Sequence, residues 1–255
     1  MTNLIFIHGV NSQATGFSNR LYKNILKFYK NGLIGNGMSE SLAEERAQAL
    51  IQKEVLWADV TTDLTNQYLT WQLGITKRPG KWNFLMEKID PLIIQILFYV
   101  KDKGDKKTGL MNILKEVADD FKKACSNNAD KVVIIAHSLG SVIAFDYVFG
   151  FRKYKLSPKV NVEALITLGS PIPIFNAGMG HVESEAARPP NVKRWINILD
   201  PDDGVARYCR RYFKNIKPED VEVNTGFGPL SAHAGYWESK RVAELIAGNL
   251  IKWKV

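Results

Sequence analysis

The chain has 255 residues, 45% hydrophobic and 24% charged, proportions that suit a globular protein with a full core. Lys and Arg total 34 against 26 Asp and Glu, a formal charge of +8 that favours weak contact with anionic surfaces. No run approaches the ~20 apolar residues of a membrane-spanning helix, and the two cysteines, Cys125 and Cys209, make neither a metal-ligand spacing nor a disulfide framework.

The first predicted strand is Leu4-Ile5-Phe6-Ile7. No basic region precedes it, and it is too short for a signal peptide. With the sparse cysteines, this predicts a cytoplasmic location. Helical periodicity follows at 17–31 and 40–51, then a strand at Val55–Trp57. The segment from about 61 to 105 fits no simple strand–helix alternation. It holds Asp90-Pro91, a helix start, and Ile89–Val100, the longest apolar run, which reads as a buried helix.

Beyond it lie a helix at 109–126, a strand at Val132–Ala136, a helix at 139–150 and a strand at Ala164–Leu168. A Pro- and Gly-rich stretch at 171–190 precedes strands at Trp195–Leu199 and Val221–Val223 and a final helix at 237–250. Several strands are apolar at consecutive positions, as strands buried on both faces are. The expected architecture is α/β, a mostly parallel central sheet with helices on both faces. One domain, 1–255, carries insertions at about 61–105 and 171–190 as cap or substrate-facing loops.

The central feature is Val132-Val133-Ile134-Ile135-Ala136-His137-Ser138-Leu139-Gly140-Ser141. A buried strand runs directly into Ser138, and a helix begins at once. A serine on so tight a turn is raised above the sheet edge. Small residues two before and two after it, Ala136 and Gly140, let strand and helix approach. The helix N-terminus supplies N–H groups and a positive dipole end for a developing oxyanion.

This segment resembles the nucleophile elbow of the α/β-hydrolases, lipase- and esterase-like serine hydrolases whose motif is G-x-S-x-G, with Ala136 in place of the first glycine. His8-Gly9-Val10 after the first strand is similar to the loop that lends this superfamily an oxyanion-hole amide. The resemblance implies Ser138 as nucleophile and the Val10 and Leu139 amides as the hole. Its chain order of nucleophile, acid, histidine leaves His233 as the base. His8 belongs to the H-G turn, His137 adjoins the nucleophile, and His181 lies upstream of any plausible acid.

The acid lies in Asp200-Pro201-Asp202-Asp203-Gly204-Val205, after a strand. The family's Asp, short spacer, Val pattern ranks Asp203 first, Asp200 second and Asp202 third. Thr167-Leu168-Gly169-Ser170-Pro171 reads as site wall, and Ser141 as structural.

Gly74–Lys81 misses the phosphate-loop spacing, and no metal-ligand pattern occurs, so no cofactor is called for. The basic cluster Arg207–Lys214 reads as a solvated helix face, not a specific nucleic-acid site. The expected activity is cleavage of a carboxylic ester, small or lipid-like, through a Ser-His-Asp triad and an acyl-enzyme. A thioesterase, amidase or acyltransferase would use the same triad. A non-catalytic binding module on this fold would need none of it.

Overall fold

A computed structural model describes residues 1–9, 14–57, 115, 117–121, 123, 131–149, 160–178, 192–213, 215–226 and 228–255. Among these residues six strands form one sheet: β1 (Thr2–Ile7), β2 (Leu50–Val55), β3 (Lys131–His137), β4 (Asn161–Leu168), β5 (Trp195–Leu199) and β6 (Glu219–Glu222). Their order is β2-β1-β3-β4-β5-β6, and every pairing is parallel. The chain leaves β1 toward β2 on one side and returns to β3 on the other. The carboxyl ends of β1 and β3 therefore meet at a topological switch point, where a crevice opens in such sheets.

Side chains alternate between two cores. Ile5 and Ile7 of β1, with Val132, Ile134 and Ala136 of β3, face one; Leu4, Phe6, Val133 and Ile135 face the other. On the second face lie α1 (Asn19–Gly35), α2 (Glu40–Gln48) and α6 (Lys240–Lys252). In α1 the buried residues Leu21, Ile25, Tyr29 and Leu33 recur every four positions and make one apolar stripe. Ser39 and Ser239 start α2 and α6 by accepting from the amides of Leu42 and Val242.

The first face is covered by α3 (Leu139–Phe149) and by the described helical residues around Val117 and Phe121. Leu139 to Val148 of α3 are all buried. A helix buried on every side, here with Ser141 and Asp146 among its apolar residues, is enclosed all round. A short α4 (Ile172–Gly178) follows β4, and α5 (Pro229–Ala234) leads into a 3-10 turn, Gly235–Trp237.

Some boundaries differ from the sequence expectation. The strand expected at Val55–Trp57 spans Leu50–Val55, and the helix expected at 40–51 stops before it. β2 is an edge strand whose Gln52, Lys53 and Glu54 are only partly buried, so its pattern is too polar to read as a core strand. The final helix starts at Lys240, after the separate turn that carries Trp237.

The basic cluster is not helical. Asp220 accepts from the amides of Cys209 and Arg210, and Asn197 donates to the Arg207 carbonyl, which pins 207–213 as an irregular segment. Arg207, Arg210 and Arg211 are exposed there while Cys209, Tyr212 and Phe213 are buried.

The insertion expected at 61–105, with Gly74–Lys81 and Ile89–Val100, lies outside the described residues, as does His181. Of 171–190, residues 171–178 are described, and Ile172 and Phe175 of α4 are buried in the first core. No described helix is long and apolar enough to cross a membrane.

Candidate active site

Ser138 follows β3 directly and has φ of 54°, the left-handed region that a non-glycine residue enters only at a cost. Its surroundings over-determine that conformation. The Ser138 amide donates to the Leu168 carbonyl at 3.0 Å, and the Ser141 amide and hydroxyl both donate to the Ser138 carbonyl, at 2.9 and 2.5 Å. Ser170 Oγ lies 2.7 Å from Ser141 Oγ, which ties the segment after β4 to the elbow.

Gly140 is required by packing. A Cβ there would stand 2.1 Å from the His8 carbonyl oxygen. α3 thus crosses directly against the end of β1. Gly9 sits as close to the serine: a Cβ on it would lie 2.7 Å from Ser138 Cβ. Leu139 opens α3, where helix amides have no intrahelical partner. Val10, the other amide expected at an oxyanion hole, lies outside the described residues.

Three side chains from distant parts of the chain form one hydrogen-bonded line. His233 Nε2 lies 2.8 Å from Ser138 Oγ, and His233 Nδ1 lies 2.9 and 3.0 Å from the Asp203 carboxylate oxygens. The carboxylate can only accept, so Nδ1 carries the proton and Nε2 presents its lone pair to the serine hydroxyl.

The loop chemistry separates the three aspartates. Asp203 is buried, and its Oδ1 also accepts from the amides of Val205 and Ala206. Asp200 spends its carboxylate on the Asp202 amide and on the amide and hydroxyl of Thr225. Asp202 is exposed. Burial by itself would raise the Asp203 carboxyl. The His233 hydrogen bond and charge, the Val205 amide and the Tyr236 hydroxyl outweigh it and leave the group below its ordinary value.

Two supports escaped the sequence reading. Tyr236, fully buried, donates to Asp203 Oδ2 at 2.9 Å and accepts from the Asp200 amide at 2.8 Å. Burial and the neighbouring Asp203 charge raise its phenol well above the usual value, so it stays a neutral donor. Gly169, with φ of 56°, makes room for it; a Cβ there would meet the Tyr236 ring at 2.7 Å. Glu54 on β2 accepts from the Gly16 amide and from the amide and hydroxyl of Ser18, at 2.6 to 2.9 Å. It anchors the chain just after the H-G loop. A tyrosine three residues after a candidate base was a readable signal; an edge-strand glutamate was not.

His8 is buried, its ring stacked on Trp57 with centroids 5.3 Å apart, and Trp57 Nε1 donates to the His8 carbonyl. Among the described residues, no group of His, Cys, Asp or Glu side chains is placed to hold a metal ion.

A parallel sheet with its serine raised on a strained strand-to-helix elbow at the switch point, helices covering both faces, is the α/β-hydrolase type of fold. Solved structures similar to this chain include one assigned to the hydrolases of the alpha/beta superfamily from Xanthomonas campestris pv. campestris. It is 14% identical, with a TM-score of 0.46 over 99% of each chain. A dienelactone hydrolase from Anabaena variabilis is 13% identical with a TM-score of 0.44, over 99% of this chain and 85% of that one. A pyrethroid hydrolase is 14% identical with a TM-score of 0.43, over 97% of this chain and 96% of that one. At such scores the fold class rests on the sheet order and the elbow. No protein-family profile and no curated protein matches the chain.

Proposed function

We propose that this protein is a serine hydrolase that cleaves carboxylic esters, with Ser138 as nucleophile, His233 as general base and Asp203 as the acid. The observation that carries the reading is the unbroken line from Ser138 Oγ through His233 to Asp203, at 2.8 and 2.9 Å. Neutral His233 takes the serine proton as Oγ attacks the ester carbonyl. The Asp203 carboxylate then stabilises the imidazolium so formed.

Negative charge develops on the carbonyl oxygen beside the start of α3. The Leu139 amide receives it there; the resemblance implies Val10, outside the described residues, as the second donor. His233 returns the proton to the leaving alcohol, and water attacks the acyl-enzyme by the same route.

A series of p-nitrophenyl esters of rising chain length tests the reading. Wild type should turn over at least one member, and Ser138→Ala should reduce that turnover to background. A well-folded wild type inert toward the whole series would favour a binding module.

A further inference from the structure

We propose that His137, the residue just before the nucleophile, is a positioning residue that fixes the His233 backbone and so aims its imidazole at Ser138. This rests on the serine-hydrolase reading above. His137 Nε2 lies 2.8 Å from the His233 carbonyl oxygen. A carbonyl oxygen only accepts, so Nε2 carries the proton and Nδ1 a lone pair. His233 stands in the last turn of α5, where carbonyls have lost their intrahelical partners. The imidazole of His137 supplies a side-chain donor to one of these last-turn carbonyls.

The consequence is geometric. His137 and Ser138 are neighbours in the chain, and each touches His233, one at the backbone and one at the ring. The elbow peptide, the serine hydroxyl, the base and the His137 imidazole therefore close a ring of contacts. Within it the His233 side chain has little freedom left, and the reacting atoms stay near attack distance.

Packing holds the tether itself. The His137 ring lies 4.9 Å from that of His233, 5.4 Å from Tyr236 and 5.7 Å from Trp237, centroid to centroid. On its other side is Gly9, where a Cβ would come within 3.3 Å of His137 Nδ1. Burial, then the nearby His233 imidazole, pushes the His137 pKa down to about 3. The tether thus brings no second positive charge to oppose the His233 imidazolium.

The test compares wild type, His137→Gln and His137→Phe for kcat and KM on a turned-over p-nitrophenyl ester. Gln keeps an N–H donor at about the reach of Nε2; Phe keeps a ring without one. His137→Phe should lose about 10- to 100-fold in kcat, with KM changed by less than about twofold. His137→Gln should recover most of that loss. A folded Phe variant as fast as wild type, or a Gln variant as slow as Phe, overturns the proposal and leaves the serine-hydrolase reading standing. A wild type without Ser138-dependent turnover overturns that reading, and the proposal with it.

Should His137→Phe fail to fold, NMR of wild type labelled with 15N-histidine decides the matter. His137 should be the neutral Nε2–H tautomer from pH ~8 down to ~5, as a buried donor would be. An Nδ1–H tautomer, or protonation within that window, overturns the proposal.

Discussion

Tyr236 donates its phenol hydrogen across 2.9 Å to Asp203 Oδ2, the same carboxylate oxygen that stands 2.9 Å from His233 Nδ1. The carboxylate is thereby held from two sides, and the Asp200 amide closes the arrangement by donating to the phenol oxygen. One fully buried side chain links the acid, the loop behind it and the turn after His233.

Replacing that side chain by phenylalanine leaves the Asp200 amide and one acceptor site of Asp203 without their partner. A loss of about 1–3 kcal/mol of stability follows, the cost of unsatisfied buried groups. The Asp203 carboxyl should titrate higher once a donor that lowers it is gone. Denaturant unfolding of Tyr236→Phe should show an earlier midpoint, and kcat should fall with KM little changed.

Asp203 and Asp200 are separated by three positions and by role. Asp203→Asn turns an amide toward His233 Nδ1 and favours the wrong tautomer, so kcat should fall about 10³- to 10⁴-fold. Asp200→Asn disturbs the clamp on Thr225 and should cost about 1–3 kcal/mol of stability, while turnover persists. Paired kinetics and unfolding curves check both. Equal kinetic losses in the two variants would contradict the assignment of the acid.

The central strand and the elbow were legible because their signal is local. Val132 to Ala136 is apolar at every position, and Ser138 follows with Gly140 two residues on. β2 was not legible, since its exposed edge admits Gln52, Lys53 and Glu54 within a strand. Among Asp200, Asp202 and Asp203 the Asp, short spacer, Val pattern ranked Asp203 first, but the direction in which the loop turns each carboxylate was not legible in it. Tyr236 stands three residues after a candidate base, which marked it as near the site, but its contacts and those of His137 arise only when the segment around His233 docks at the end of β3. A sequence pattern names such residues but not their neighbours.

His137 also predicts a pH effect on stability. Its folded pKa of about 3 lies below the ordinary 6.5, so the unfolded chain binds the proton more readily. Its neutral form supports the fold fully above pH ~6.5, and that contribution is lost as pH falls toward ~3. The slope is at most about 1.4 kcal/mol per pH unit. Between pH 6.5 and ~4 the stability of His137→Gln should decline less steeply than that of wild type. Parallel slopes would contradict a buried neutral imidazole.

Gly140 leaves no room for a methyl group, because the nearest obstacles are backbone atoms of Ile7 and His8. Gly140→Ala should displace α3 from β1 and destabilise the protein by about 1–3 kcal/mol or more, as overpacking does. A thermal melt indistinguishable from wild type would mean that the helix and strand are not packed as closely as described.

The most direct test of the account is chemical. Wild type treated with a fluorophosphonate should gain the mass of one phosphonyl group, located at Ser138 by peptide mapping. The adduct should be absent in Ser138→Ala and form far more slowly in His233→Ala. A folded wild type that stays unmodified, or that carries the adduct on another residue, would contradict an activated serine at the end of β3.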